Sequence, residues 1–131
     1  MAEFEIQKAL FSAINAAGIL AYDSAPQQSD GASLAVFPHV EVGAIVLGEL
    51  DTNTETGFDF VARIHTRSRS ASMKEAKDIQ GQIYGLLHRV QLTIAGGLLV
   101  DLQRVQSFCD RAPDGSFHGV CEYRGLLENA G

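Results

Sequence analysis

Residues 57–90 read GFDFVARIHTRSRSASMKEAKDIQGQIYGLLHRV, and this stretch carries the two periodicities around which the chain is built. Phe58, Phe60, Ala62 and Ile64 alternate with Asp59, Val61, Arg63 and His65, the period of two expected of a strand with one buried face. The polar run from Thr66 to Ser70 breaks that period. Ser72 with Glu75 three residues on has the form of a capping box, in which each side chain satisfies a free amide of the first helical turn. Beyond it Ala76, Ile79, Ile83, Leu86, Leu87 and Val90 recur at steps of three and four residues, one apolar helical stripe, with Lys74, Lys77, Asp78 and Arg89 away from it. A strand feeding a helix that packs back on its own sheet is the nucleus of an α+β domain. Gly81 and Gly85 lie opposite the stripe. Each costs about 1 kcal/mol relative to alanine in a helix interior, which makes them candidates for close approach by a neighbouring subunit.

Upstream, Ala2 to Ala17 predicts a first helix ended by Gly18, the residue type that favours a left-handed C′ position. Ile6, Leu10, Ala13, Ile14 and Ala17 form its core face, while Phe4 and Phe11 lie together to one side. So wide an apolar arc exceeds what one sheet covers, and either a loop or a neighbouring subunit covers the two rings. Ile19 to Tyr22 is a short extended piece, and Asp23 to Pro38 is a long polar connection. A strand follows from about His39 to Leu50, with Val40, Val42, Ala44 and Val46 on one face, pairing antiparallel with the organising strand.

Downstream, Leu92 to Ile94 and Leu98 to Leu102 flank Ala95-Gly96-Gly97, a tight-turn signal. The apolar parity of the following strand shifts between Leu102 and Val105, which predicts a bulge near Gln103. Ala112-Pro113-Asp114-Gly115 is a strong turn, and Ser116 to about Leu127 returns antiparallel. The expected fold is a four-stranded, mainly antiparallel sheet with two helices packed on one face. It forms a single domain over residues 1–127, with a flexible tail at 128–131.

The chain has 131 residues, 46% hydrophobic and 20% charged, enough for one domain with a real core. Its net charge of −6 argues against a domain whose main task is to grip phosphates, yet suits a surface past which nucleic acid slides. Glu3 and Glu5 stand where a signal peptide would be basic, no apolar run is long enough for a membrane span, and the expected compartment is a reducing cytoplasm. His39, His65, His88 and His118 show no metal-ligand spacing and read as surface or hairpin residues. Cys109 and Cys121 fall almost symmetrically about the Asp114-Gly115 turn, either as reduced thiols or as a redox pair facing across a hairpin. No catalytic, cofactor-binding or metal residues are assigned.

Several short motifs, weak singly, are specific in their order. Phe37-Pro38-His39-Val40 with Leu47-Gly48, Lys74-Glu75-Ala76 with Ile79, Ile83 and Leu86-Leu87, and Leu99-Val100 are followed by Asp110, Asp114-Gly115, His118-Gly119 and Tyr123-Arg124. Together they resemble the DUF3168 group of phage tail-completion proteins, related to the tail terminators of long-tailed phages and gene transfer agents. The resemblance runs from the first helix to Leu127. His65-Thr66-Arg67 lacks that group's usual aromatic, and Asp51-Thr52 replaces its W-D. The resemblance implies a structural virion protein rather than an enzyme, without cofactor or membrane. It implies a homo-oligomeric ring, generally hexameric, that caps the tail tube protein and joins it to the head-tail connector, with DNA passing through the lumen unbound. It would be assembled in the host cytoplasm and sit at the head-proximal end of the tail. Another neck component, such as a head-closure or adaptor protein, is the alternative, and a cytoplasmic ligand-binding domain the third reading. Phe4, Phe11, Gly81 and Gly85 are the subunit-interface candidates.

Overall fold

The computed structural model describes residues 2–22, 36–51, 56–90, 92–94 and 97–129. Helix α1 (Ala2–Ala16) leads into β1 (Ala21–Tyr22), β2 (His39–Asp51) and β3 (Thr56–Ser68); helix α2 (Lys74–Leu87) leads into β4 (Thr93–Ile94), β5 (Gly97–Arg111) and β6 (Phe117–Asn129). The sheet is six-stranded in the order β1-β2-β3-β6-β5-β4. Four long antiparallel strands carry it, as expected. The correction lies at the margins, where the Ala21–Tyr22 piece joins parallel to β2 and Thr93–Ile94 joins antiparallel to β5. The sheet is therefore mixed and wider than four strands. Glu128, placed in the tail on sequence grounds, lies in β6 opposite Gly57 and Leu98.

Both helices cover one face. Ile6, Leu10 and Ile14 of α1 and Ile83 and Leu87 of α2 meet Val40, Val42, Phe60, Ala62, Ile64, Leu99, Leu102, Cys121, Tyr123 and Leu127 in one buried cluster. Burial of this apolar surface is the main favourable term of folding, about 25 cal/mol per Å² removed from water. Gly18 takes the left-handed φ of +85° that ends α1. The second helix begins differently from the expected capping box. Met73 is its N-cap, without a side-chain cap bond. The Glu75 carboxylate instead accepts from the Ser68 hydroxyl at 2.6 Å, which ties the helix start to the end of β3. The helix also stops at Leu87, because Arg89 turns to φ +57° and its amide donates to the Leu102 carbonyl at 2.7 Å.

Bulges decide which residues face the helices. In β2 the register shifts between Val42 and Ile45. Val40 and Val42 are buried, but Val46, expected on the same face, is 64% exposed on the other side. In β5 there are two shifts, between Leu99 and Asp101 and between Arg104 and Gln106, flanking Gln103 rather than falling on it. The β5–β6 turn is as read. Gly115 has φ +88°, and Asp114 accepts from the Ser116 amide at 3.0 Å and its hydroxyl at 2.6 Å. Those bonds hold the Asp114 carboxyl below its ordinary pKa.

Cys109 stands opposite Gly119 and Cys121 opposite Ser107, so the thiols are offset along the hairpin and both are free. Burial pushes both thiol pKa values up, as expected of inert reduced cysteines. Gly125 is a tight point of the core. The Phe60 ring lies against it, so that a Cβ there would come 2.6 Å from the Phe60 Cε1 atom and 3.0 Å from the Asp101 carbonyl. We expect Gly125→Ala to destabilise the fold by about 1–3 kcal/mol through overpacking, measured by chemical denaturation. An unchanged midpoint would mean that the ring shifts freely.

Candidate assembly surface

The face of the sheet turned away from the helices carries a lattice of paired charges with apolar residues between them. Arg63 and Glu122 stand directly opposite and meet at 3.4 Å; Arg124 approaches Asp59 at 3.8 Å; Arg67 donates to Glu41 at 3.2 Å. Such exposed pairs contribute about 0–1 kcal/mol each. These three pairs are made within the subunit, without an outside partner. Two shallow open depressions lie on this face, lined by Asp59, Asp101, Gln103 and Arg124 and by Arg63, His65, Gln106 and Glu122. Their charged groups are engaged with one another rather than converging on a centre. Among the described residues no group of three His, Cys, Asp or Glu is placed to hold a metal.

The apolar residues of this face are its unmatched component. Val46 near the β2 edge, and Val105 and Phe108 near the β5 edge, are 64%, 53% and 46% exposed. The sequence did not show that these three are exposed on the open face, because exposure on a sheet depends on the bulges.

The interface candidates separate in the structure. Phe4 is 61% exposed on α1, whereas Phe11 is partly buried against the core cluster. Gly81 and Gly85 do lie on the outer side of α2, and a Cβ at either meets nothing within 4 Å. The expected loop of residues 23–33 lies outside the described residues.

The histidines are more engaged than their spacing suggested. His39 is buried, with its ring nitrogens 3.0 Å from the Val36 carbonyl and 3.1 Å from Glu41, and Tyr22 and Phe37 edge-on to it. The His88 Nδ1 accepts from the Arg104 amide at 3.1 Å, capping a backbone donor of the edge strand β5. His65 and His118, on neighbouring strands, share a hydrogen bond of 2.9 Å between Nδ1 and Nε2. Strand pairing brought them together, and no spacing rule could have found them.

These strands and helices define an α+β subunit with both helices on one face of the sheet and the other face open. The family model described as "Tail completion protein gp17" matches residues 8–128, and the chain belongs to that family of structural tail proteins, not of enzymes. None of the curated proteins matches the sequence. Among solved structures, 18 chains match. One of them, from "Virion of native gene transfer agent (GTA) particle", superposes with a TM-score of 0.81 at 20% identity, covering 95% of each chain. The shared fold is therefore clear at a level of identity where few side chains agree.

The histidine pair has a pH signature. Burial, then the Arg67 guanidinium, holds both imidazoles below the ordinary value of 6.5; Glu41 opposes this at both, Arg63 adds a smaller lowering at His65, and the His65 ring adds to it at His118. The unfolded chain therefore takes up protons first as the pH falls through 6.5. Stability is full above that value and declines below it, levelling off once the pH has passed the lowered folded pKa. We expect the melting temperature to fall between about pH 7 and about pH 5.5, and to fall less in His118→Gln. Parallel declines in the two proteins would show that the pair is not responsible.

Proposed function

We propose that the chain is a tail-terminator subunit. In this reading several copies, six by the family resemblance, form a ring that caps the head-proximal end of the tail tube. The ring joins the tube to the head-side connector, and DNA passes through its lumen without being held. The observation that carries the reading is the family match over residues 8–128. The likeness of fold to a chain of a gene transfer agent virion supports it. The net charge of −6 suits a channel that repels phosphate rather than retaining it. Assembly takes place in the host cytoplasm.

Electron microscopy of intact particles carrying a labelled copy of this chain tests the position. Label at the junction of tube and connector supports the reading; label in the capsid-side collar favours a head-closure or adaptor role, and label at the distal tip contradicts both. The interface candidates are tested by bulk. Gly81 and Gly85 are open to solvent within the subunit, so Gly81→Leu with Gly85→Leu leaves the monomer folded. We expect that pair to abolish incorporation into particles, with an unchanged cooperative melt of the free chain. Incorporation at the normal level would show that no neighbour packs on this side of α2. Phe4→Ser is the parallel test for α1. Phe11→Ser is not a clean one, because Phe11 packs partly against the core.

A further inference from the structure

The two edges of the sheet are incomplete in complementary ways. Strand β1 covers β2 only at Val40 and Glu41, and β4 covers β5 only at Gly97 and Leu98. The Val40 amide points outward from β2, donating to the Leu20 carbonyl at 2.9 Å. Carried along the β2–β3 register, the same parity turns the amides of Ile45 and Leu47 outward. On β5 the outward groups of Leu102 and Arg104 are taken by Arg89 and His88 of the segment after α2. The same parity, followed through the β5–β6 register, turns the amides of Ser107 and Cys109 outward. Nothing among the described residues pairs with these four. In both strands the residues with outward amides have their side chains on the helix side of the sheet. The two edges can therefore join as one antiparallel ladder that keeps every side chain on its proper face.

We propose that β2 of one copy pairs antiparallel with β5 of the next, Ile45 opposite Cys109, Val46 opposite Phe108 and Leu47 opposite Ser107. This rests on the ring reading above and says how its subunits join. Three features select the register. It places the exposed Val46 and Phe108 side by side on the open face, covering both. It confines the ladder to the regular stretches beyond the bulges of β2 and β5. It also ends β5 of the neighbour opposite Gly43, just clear of the column that β1 occupies beside Val40 and Glu41.

The stagger of the two edges fits a closed ring. Within one copy Phe108 is level with His65 through Val120, and Val46 is level with Val61, four residues further along β3. Each copy is thus displaced by about 14 Å along the strands while adding four strand columns, about 19 Å, across them. In a closed ring this stagger tilts the strands by about 36° to the ring axis, within the range of closed barrels, so the joint is compatible with a ring.

The test is a disulfide at the proposed pair, made in particles carrying Val46→Cys with Phe108→Cys on a Cys109→Ser background. Opposed strand positions bring Cβ atoms to about 4.5–5.5 Å, within easy reach of a bond after small adjustment. Mild oxidation should give a ladder of covalently linked multiples on a denaturing gel, lost on reduction. Val46→Cys with Asp110→Cys, two residues out of register, should give little of it. A ring of the expected mass without the ladder overturns the strand joint and leaves the ring reading standing. Chains that remain monomeric in mass when recovered from particles overturn both. Val46→Lys, at an exposed position, should leave the melt of the free chain unchanged and prevent incorporation; incorporation at the normal level also overturns the joint.

Discussion

The antiparallel pairing of β3 with β6, continuous from Gly57 opposite Glu128 to Ser68 opposite Phe117, is the constraint on which the rest of the fold depends. It is the central ladder of the sheet and the one long pairing without a register shift. Because a slip of one residue would turn every side chain to the other face, this ladder fixes where the core is. Phe60, Ala62 and Ile64 on one strand and Cys121, Tyr123 and Leu127 on the other point together toward the helices. Arg63 and Glu122 are forced together on the opposite side by the same register. The closeness of Phe60 to Gly125 shows how tightly the two strands are set.

What could be read from the sequence is what local periodicity encodes. The alternation of Phe58 to Ile64, the stripe of Ile79, Ile83 and Leu87, and the Pro113-Asp114-Gly115 turn each specify their own backbone, and each is present. What could not be read depends on partners distant in the chain. Ile19 to Tyr22 was legible as an extended piece, but not its parallel pairing, which depends on the edge that β2 offers to Ala21 and Tyr22. The bulges of β2 and β5 reverse faces part-way along a strand, so alternation alone puts Val46 on one face with Val40 and Val42 and gives no sign of Phe108. Ser72 and Glu75 have the spacing of a capping box, but Ser68, brought near by the end of β3, captures the carboxylate first. The four interface candidates were found through wasted surface, which is a sequence property. Only Phe4, Gly81 and Gly85 keep that character once the core is assembled.

The helices use one face of the sheet, and two short strands with the segment after α2 cover part of each edge. The open face carries three charge pairs made within the subunit and has its larger apolar residues gathered toward the edges. That is an economical arrangement for a subunit of an assembly. Satisfied charges ask nothing of a passing polyanion, while unsatisfied backbone and apolar groups are reserved for a neighbour. Edge strands left bare are normally an aggregation hazard. Here the bulges, the flanking short strands and His88 shorten the exposed ladder to a few residues, enough for a defined joint and too little for indiscriminate pairing.

The most direct measurement is residue-resolved amide hydrogen exchange at Ile45 and Leu47 of β2 and Ser107 and Cys109 of β5. In the free subunit these amides should exchange within a short time, while those of the β3–β6 ladder stay protected. In the assembled particle all four should become protected together. Continued fast exchange of these four amides in the assembled state would contradict the account.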